Sequence, residues 1–102
     1  MESFFNQTPA ISMKLINESD DIKRAIYDFV TRIERISPYR SVVKFNLVEK
    51  KDYIYSARLE VVTNSFEILL TKADLGLIEL LKEISESFDE RLKPWLEGRF
   101  SA

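Results

Sequence analysis

Four stretches of the chain alternate apolar with polar residues, and two more repeat apolar residues at spacings of three and four. A period of two marks a strand buried on one face, and spacings of three and four mark an amphipathic helix. Ile11, Met13 and Leu15 alternate with Ser12 and Lys14, which predicts the first strand. Ser19 then stands where it can cap a helix, followed by Asp20 and Asp21, where negative charge suits the helix dipole. Ile22, Ala25, Ile26, Phe29, Val30, Ile33 and Ile36 form the apolar stripe of that helix. Pro38 ends it, because proline donates no backbone hydrogen bond and keeps the residue before it out of the helical region.

Beyond the turn, Val43, Phe45 and Leu47 alternate with Lys44 and Asn46. Tyr53, Tyr55, Ala57, Leu59 and Val61 alternate with Ile54, Ser56, Arg58 and Glu60, so a charged turn over residues 49–52 joins two strands. Thr63 and Asn64 make the next turn, and Phe66, Ile68 and Leu70 complete a three-strand meander. Thr71 with Asp74 three residues later has the form of a capping box, with Asp in place of the usual Glu or Gln. Leu75, Ile78, Leu81, Ile84, Phe88, Leu92 and Trp95 follow at helical spacings, and Pro94 with Gly98 marks the end. The expected fold is α+β in the order β-α-β-β-β-α, a four-stranded sheet with both helices packed on one face. Its other face is left to solvent or a partner. The expected division is a flexible segment 1–9, one domain over 10–96, and a tail 97–102.

Composition narrows the chemistry. The 102 residues are 45% apolar, as in a globular domain, and include neither cysteine nor histidine. That removes thiolate chemistry, disulfides, most zinc sites and the commonest general base. Only Gly76 and Gly98 are available, both in or after the last helix, so there is no glycine-rich phosphate loop. No cofactor, metal or catalytic residue is expected, and the expected role is binding rather than catalysis. The start lacks the basic region of a secretory signal and no stretch approaches the roughly 20 apolar residues of a membrane helix, so a cytoplasmic protein is expected.

Charge is uneven along the chain. Residues 1–21 carry net −3, residues 22–44 net +4, residues 45–73 cancel, and residues 74–102 carry net −3. A polyanion would therefore land on Lys23, Arg24, Arg32, Arg35, Arg40 and Lys44, the candidate RNA-binding residues. The plainer alternative is a solvated helix face with Arg24–Asp28 and Asp28–Arg32 pairs at helical spacing.

The β-α-β-β-β-α order within about a hundred residues, with the helix Ile22-Lys23-Arg24-Ala25-Ile26-Tyr27-Asp28-Phe29-Val30-Thr31-Arg32-Ile33-Glu34-Arg35-Ile36, resembles the short-form ribosome hibernation factors, the family of ribosome-associated inhibitors once called sigma-54 modulation proteins. Lys72-Ala73-Asp74-Leu75 at the expected opening of the last helix and Phe88-Asp89-Glu90-Arg91-Leu92-Lys93 towards its end are similar too, and the likeness runs from about Ile11 to Trp95. The resemblance implies a non-enzymatic protein that binds the small (30S) ribosomal subunit near the decoding region. Basic side chains on its helices would contact rRNA and block translation under stress. Two features depart from the family. The last helix is acidic, with Glu79, Glu83, Glu86, Asp89 and Glu90, and the C-terminal dimerisation domain of the long forms is absent, so ribosome pairing by that route is not expected. The alternative reading is a protein-interaction module or homodimer that uses the open sheet face or the acidic helix.

Other candidates have plain structural readings. Lys50 and Lys51 sit in a turn, where lysines are commonly just solvated. Tyr53, Tyr55 and Phe66 would form a base-stacking platform only on the open face, and their alternation places them in the core instead. Ile54, Val62 and Leu69 would give the open face a modest apolar patch beside Arg58 and Glu60, and Trp95 is expected to seal the end of the core.

Overall fold

The computed structural model describes residues 10–38, 40–64 and 66–100, the last three by backbone only. The expected flexible segment 1–9 and the last two residues of the expected tail lie outside the described residues. The elements are β1 (Ala10–Lys14), α1 (Asp20–Ile36), β2 (Val42–Lys51), β3 (Ile54–Val62), β4 (Glu67–Leu75) and α2 (Leu77–Phe100), the expected β-α-β-β-β-α order. They form a mixed four-stranded sheet, β1-β2-β3-β4, in which β1 runs parallel to β2 and the other two pairs are antiparallel. A parallel pair needs a crossover, and α1 supplies it.

Alternation decides which face is covered. Val43, Phe45 and Leu47 of β2, Tyr55, Ala57, Leu59 and Val61 of β3, and Ile68 and Leu70 of β4 are all buried. They form one cluster with Ile26, Phe29, Val30 and Ile33 of α1 and Leu80, Ile84, Phe88 and Leu92 of α2. Both helices therefore cover the same side of the sheet. Phe29 packs against Phe45 with ring centroids 5.3 Å apart, which fixes α1 to the middle of β2. α1 begins as its sequence dictates: Ser19 is extended, and its hydroxyl accepts the Ile22 N–H at 3.1 Å. It stops at Ser37, whose N–H donates back to the Ile33 carbonyl, one residue before Pro38.

The second helix departs from expectation at both ends. Thr71 and Asp74 do not cap it, and Lys72-Ala73-Asp74-Leu75 does not open it. This segment stays in β4, pairing Lys72 with Ala57 and Leu75 with Tyr55 around a bulge. Asp74 takes the left-handed conformation there, with φ 62, and α2 begins only after Gly76, whose carbonyl accepts the Leu80 N–H at 2.9 Å. Long-range pairing with β3 has overridden a local capping pattern. The apolar stripe also differs from expectation at its start: Leu77, Leu80, Leu81, Ile84, Phe88 and Leu92 face inward, and Ile78 is 84% exposed. Pro94 does not end α2, which continues to Phe100. Proline removes one hydrogen bond from a helix, but here the next residue, Trp95, is held by an edge-on contact with Phe66, centroids 5.8 Å apart. Trp95 thus closes that end of the core, as expected.

Candidate nucleic-acid interface

Each residue of α1 turns about 100° around the helix axis, so burial of Ile26, Phe29, Val30 and Ile33 determines where its charges point. Arg24 and Arg35 lie opposite the buried stripe, both exposed. Arg32 is rotated towards α2, where its guanidinium donates to the Ser85 hydroxyl. On the opposite flank, Lys23 Nζ lies 3.1 Å from Glu18. Hydrogen bonding and then attraction to that carboxylate hold the Lys23 pKa above its ordinary value. Exposed pairs of this kind are weak. Neither Arg24–Asp28 nor Asp28–Arg32 closes as an ion pair, and Asp28 is exposed beside them, so the face is solvated without the pairs at helical spacing.

Arg40 follows α1 in the turn from Pro38 to Ser41, at φ 67. Lys44 is elsewhere. It alternates with the buried Val43 and Phe45 and so stands on the open sheet face, on the far side of the sheet from α1. Of the six candidates, the structure groups Arg24 and Arg35 on one outer face, places Lys23 and Arg32 on its two flanks and Arg40 beyond its end, and separates Lys44 from them.

On the open face Lys44 pairs with Glu60 across the β2–β3 ladder, and Asn46 with Arg58. These four residues, with Ala10 and Ser12 of β1, line a shallow groove of about 400 Å³. Val62 and Leu69 are diagonal neighbours there, beside Val42, but Ile54 is eight residues away along β3 and does not join them. The expected apolar patch is therefore smaller than predicted and differently composed.

The β2–β3 turn holds what the alternation missed. Glu49 was expected in a charged turn; it is 4% exposed, in the buried phase of β2. Its Oε1 accepts the N–H groups of Ile16 and Asn17, each at 2.8 Å. Its Oε2 accepts the Asn17 side-chain amide at 2.8 Å and the Tyr53 N–H at 2.6 Å. Burial works against the charge, but these donors outweigh it and hold the Glu49 carboxyl at about 2. Tyr55, opposite Glu49 in the ladder, is 1% exposed; burial and then the Glu49 charge raise its phenol pKa. Register shifts between Glu49 and Lys51, and Tyr53 adopts φ 63 with its side chain 61% exposed. Tyr53 is thus not a core residue, whereas Tyr55 is buried and Phe66 is half-buried against Trp95.

No family model matches the chain, and no curated protein matches it either. A solved structure does. The N-terminal domain of Protein Y from Thermus thermophilus superposes with a TM-score of 0.64 at 12% sequence identity, over 86% of this chain and 99% of that one. The two share a fold. Among the described residues no group of three or more metal-ligating side chains occurs, and no helix is long and apolar enough to cross a membrane.

Proposed function

We propose that this chain binds the small ribosomal subunit through rRNA and inhibits translation under stress, as a cytoplasmic protein without catalytic activity, with the outer face of α1 as its principal contact. The observation that carries this reading is the placement of Arg24 and Arg35 opposite the buried stripe of α1, exposed, in the segment where the chain's positive charge is concentrated. Arginines presented outward on a rigid helix are suited to phosphate oxygens. Two further points support it. The residues of α1 resemble those of the ribosome hibernation factors, and the β-α-β-β-β-α chain shares its fold with the Protein Y domain. Lys23, Arg32 and Arg40 would extend the contact at its margins; Lys44 would need a second RNA segment on the other side of the sheet.

Sedimentation of lysate from starved cells tests this reading. The protein is expected to travel with 30S and 70S particles at low salt and to leave them as salt rises. Recovery only at the top of the gradient at low salt would remove the ribosome from consideration.

Two observations favour a different partner. The exposed face of α2 is acidic at Glu79, Glu86, Asp89 and Glu90, and the open sheet face exposes Val42 and Leu69 by 41% and 42%. A protein partner or a second copy of the chain would cover these surfaces. Sedimentation equilibrium showing a dimer, or pull-down of one stoichiometric protein without rRNA, would establish that reading instead.

A further inference from the structure

We propose that the tip of the β2–β3 hairpin is a second RNA contact, in which the Tyr53 ring stacks on an unpaired base while Lys50 and Lys51 engage the neighbouring phosphates. The proposal rests on the reading of the chain as an rRNA binder and extends it to a site remote from α1.

Tyr53 breaks local preference without a packing gain. At φ 63 a bulky side chain is disfavoured, and glycine or asparagine would serve the turn better. Core packing does not account for the tyrosine, because the residue is 61% exposed. Departures of this kind concentrate at functional sites, as do bulges, and the ladder is bulged between Glu49 and Lys51. The tip is also held firmly. The Tyr53 N–H donates to Glu49, and that carboxylate is fixed in turn by Ile16 and Asn17, so the β1–α1 loop braces the hairpin. A ring presented on a braced backbone loses little freedom when it binds.

The charges of Glu49, Lys50, Lys51 and Asp52 cancel, but Glu49 is turned inward onto its four donors while both lysines stand outward. Lys50 and Lys51 are exposed and make no ion pair among the described residues. The one acid between Lys51 and Tyr53, Asp52, is contacted by the Asn17 amide at 3.2 Å. An exposed aromatic ring with cations close by in the chain combines the two kinds of contact by which single-stranded RNA is held without reading its sequence, stacking and phosphate attraction.

Binding of the full chain to a labelled oligouridylate, to duplex RNA and to purified 30S subunits tests this, using Y53G, Y53W and K50A/K51A. Y53G is informative because glycine favours the left-handed backbone, so its melting temperature should equal or exceed that of the unmodified protein. Its affinity for the oligouridylate should nevertheless fall about 5- to 150-fold, the value of one stacked base. Y53W should retain binding, K50A/K51A should flatten the salt dependence, and duplex binding should not respond to Y53G, since paired bases offer no free face. If Y53G binds the oligouridylate within about twofold of the unmodified protein, or weakens duplex binding equally, the stacking proposal is overturned. Unmodified protein that binds 30S subunits while Y53G is indistinguishable from it on every RNA removes the tip and leaves the ribosome reading standing. Oligouridylate binding that requires Tyr53, without 30S binding, supports the tip and removes the ribosome. Failure of the unmodified protein to bind any of the three overturns both.

Discussion

Reversing charge on the outer face of α1 should weaken ribosome binding, and reversing it on α2 should not. The informative pair on α1 is Arg24 and Arg35, since Arg32 is engaged with Ser85 and its loss would perturb the contact between the helices. Eleven residues at about 1.5 Å per residue place Arg24 and Arg35 about 16 Å apart along the axis, beyond the ~10 Å Debye length at 0.1 M salt. They should therefore act as two separate phosphate contacts. Each neutralised phosphate contributes about 0.9 to the slope of log K against log salt on a duplex and about 0.7 on a single strand. R24E/R35E should lower that slope by about 1.4 to 1.8, so that over a fourfold rise in salt its affinity falls roughly 7- to 12-fold less than that of the unmodified protein. At low salt the variant should bind much more weakly, because two attractions have become repulsions. The matching reversal is E86K/E90K, on exposed α2 residues; Glu83 is avoided because it pairs with Lys72 at 3.8 Å. That variant should bind ribosomes as well as the unmodified protein or better. The assay is co-sedimentation with 30S subunits at several salt concentrations, after circular dichroism has shown both variants folded. Unchanged affinity and slope in R24E/R35E would refute the assignment of α1, and loss of binding in E86K/E90K would favour a basic protein partner.

The remaining predictions concern the scaffold that positions these surfaces. The folded Glu49 carboxyl titrates at about 2 against an ordinary 4.5, so its stabilising contribution is complete above pH 4.5 and is lost as pH falls towards 2. Melting temperature should drop across that window, and E49Q, which cannot carry the charge, should show a shallower drop; parallel profiles would refute the role given to the carboxylate. Phe88, fully buried between α2 and the sheet, should cost about 3–5 kcal/mol on truncation to alanine, read by urea unfolding. Ser19→Ala should cost about 1 kcal/mol through loss of the bond to Ile22, whereas Thr71→Ala, in β4, should show no loss of a helix cap. A helix-content loss in Thr71→Ala by circular dichroism would restore the capping box.

What was legible in the sequence was whatever local chemistry decides. Ser19 caps α1 because its hydroxyl needs only the N–H three residues on, and the alternation of β2 and β3 shows at once which face is buried. Long-range partners were not legible. Thr71 and Asp74 have the spacing of a cap, but pairing with β3 extends β4 through them and forces Asp74 to positive φ at a bulge. Ile78 is three residues from Leu81, but the buried stripe runs through Leu77, Leu80 and Ile84 and leaves Ile78 on its flank, and Pro94 is carried within α2, where the following Trp95 packs on Phe66. Glu49 is legible in part, since it continues the buried phase of Val43, Phe45 and Leu47; its charge argues for a turn, and only the four donors brought to it by the fold let it be buried. The same applies to the candidate RNA surface. Sequence proximity gathered six basic residues, but a strand reverses face at every residue, so Lys44 is on the opposite side of the sheet from Arg24 and Arg35.

Titration of labelled protein with purified 30S subunits over a range of salt tests the central claim most directly. Saturable binding at low salt is predicted, with log K falling linearly against log salt at a slope of several units, and R24E/R35E shifted as described. Absence of binding at about 50 mM salt, or an affinity indifferent to salt, would contradict an rRNA contact made by arginines.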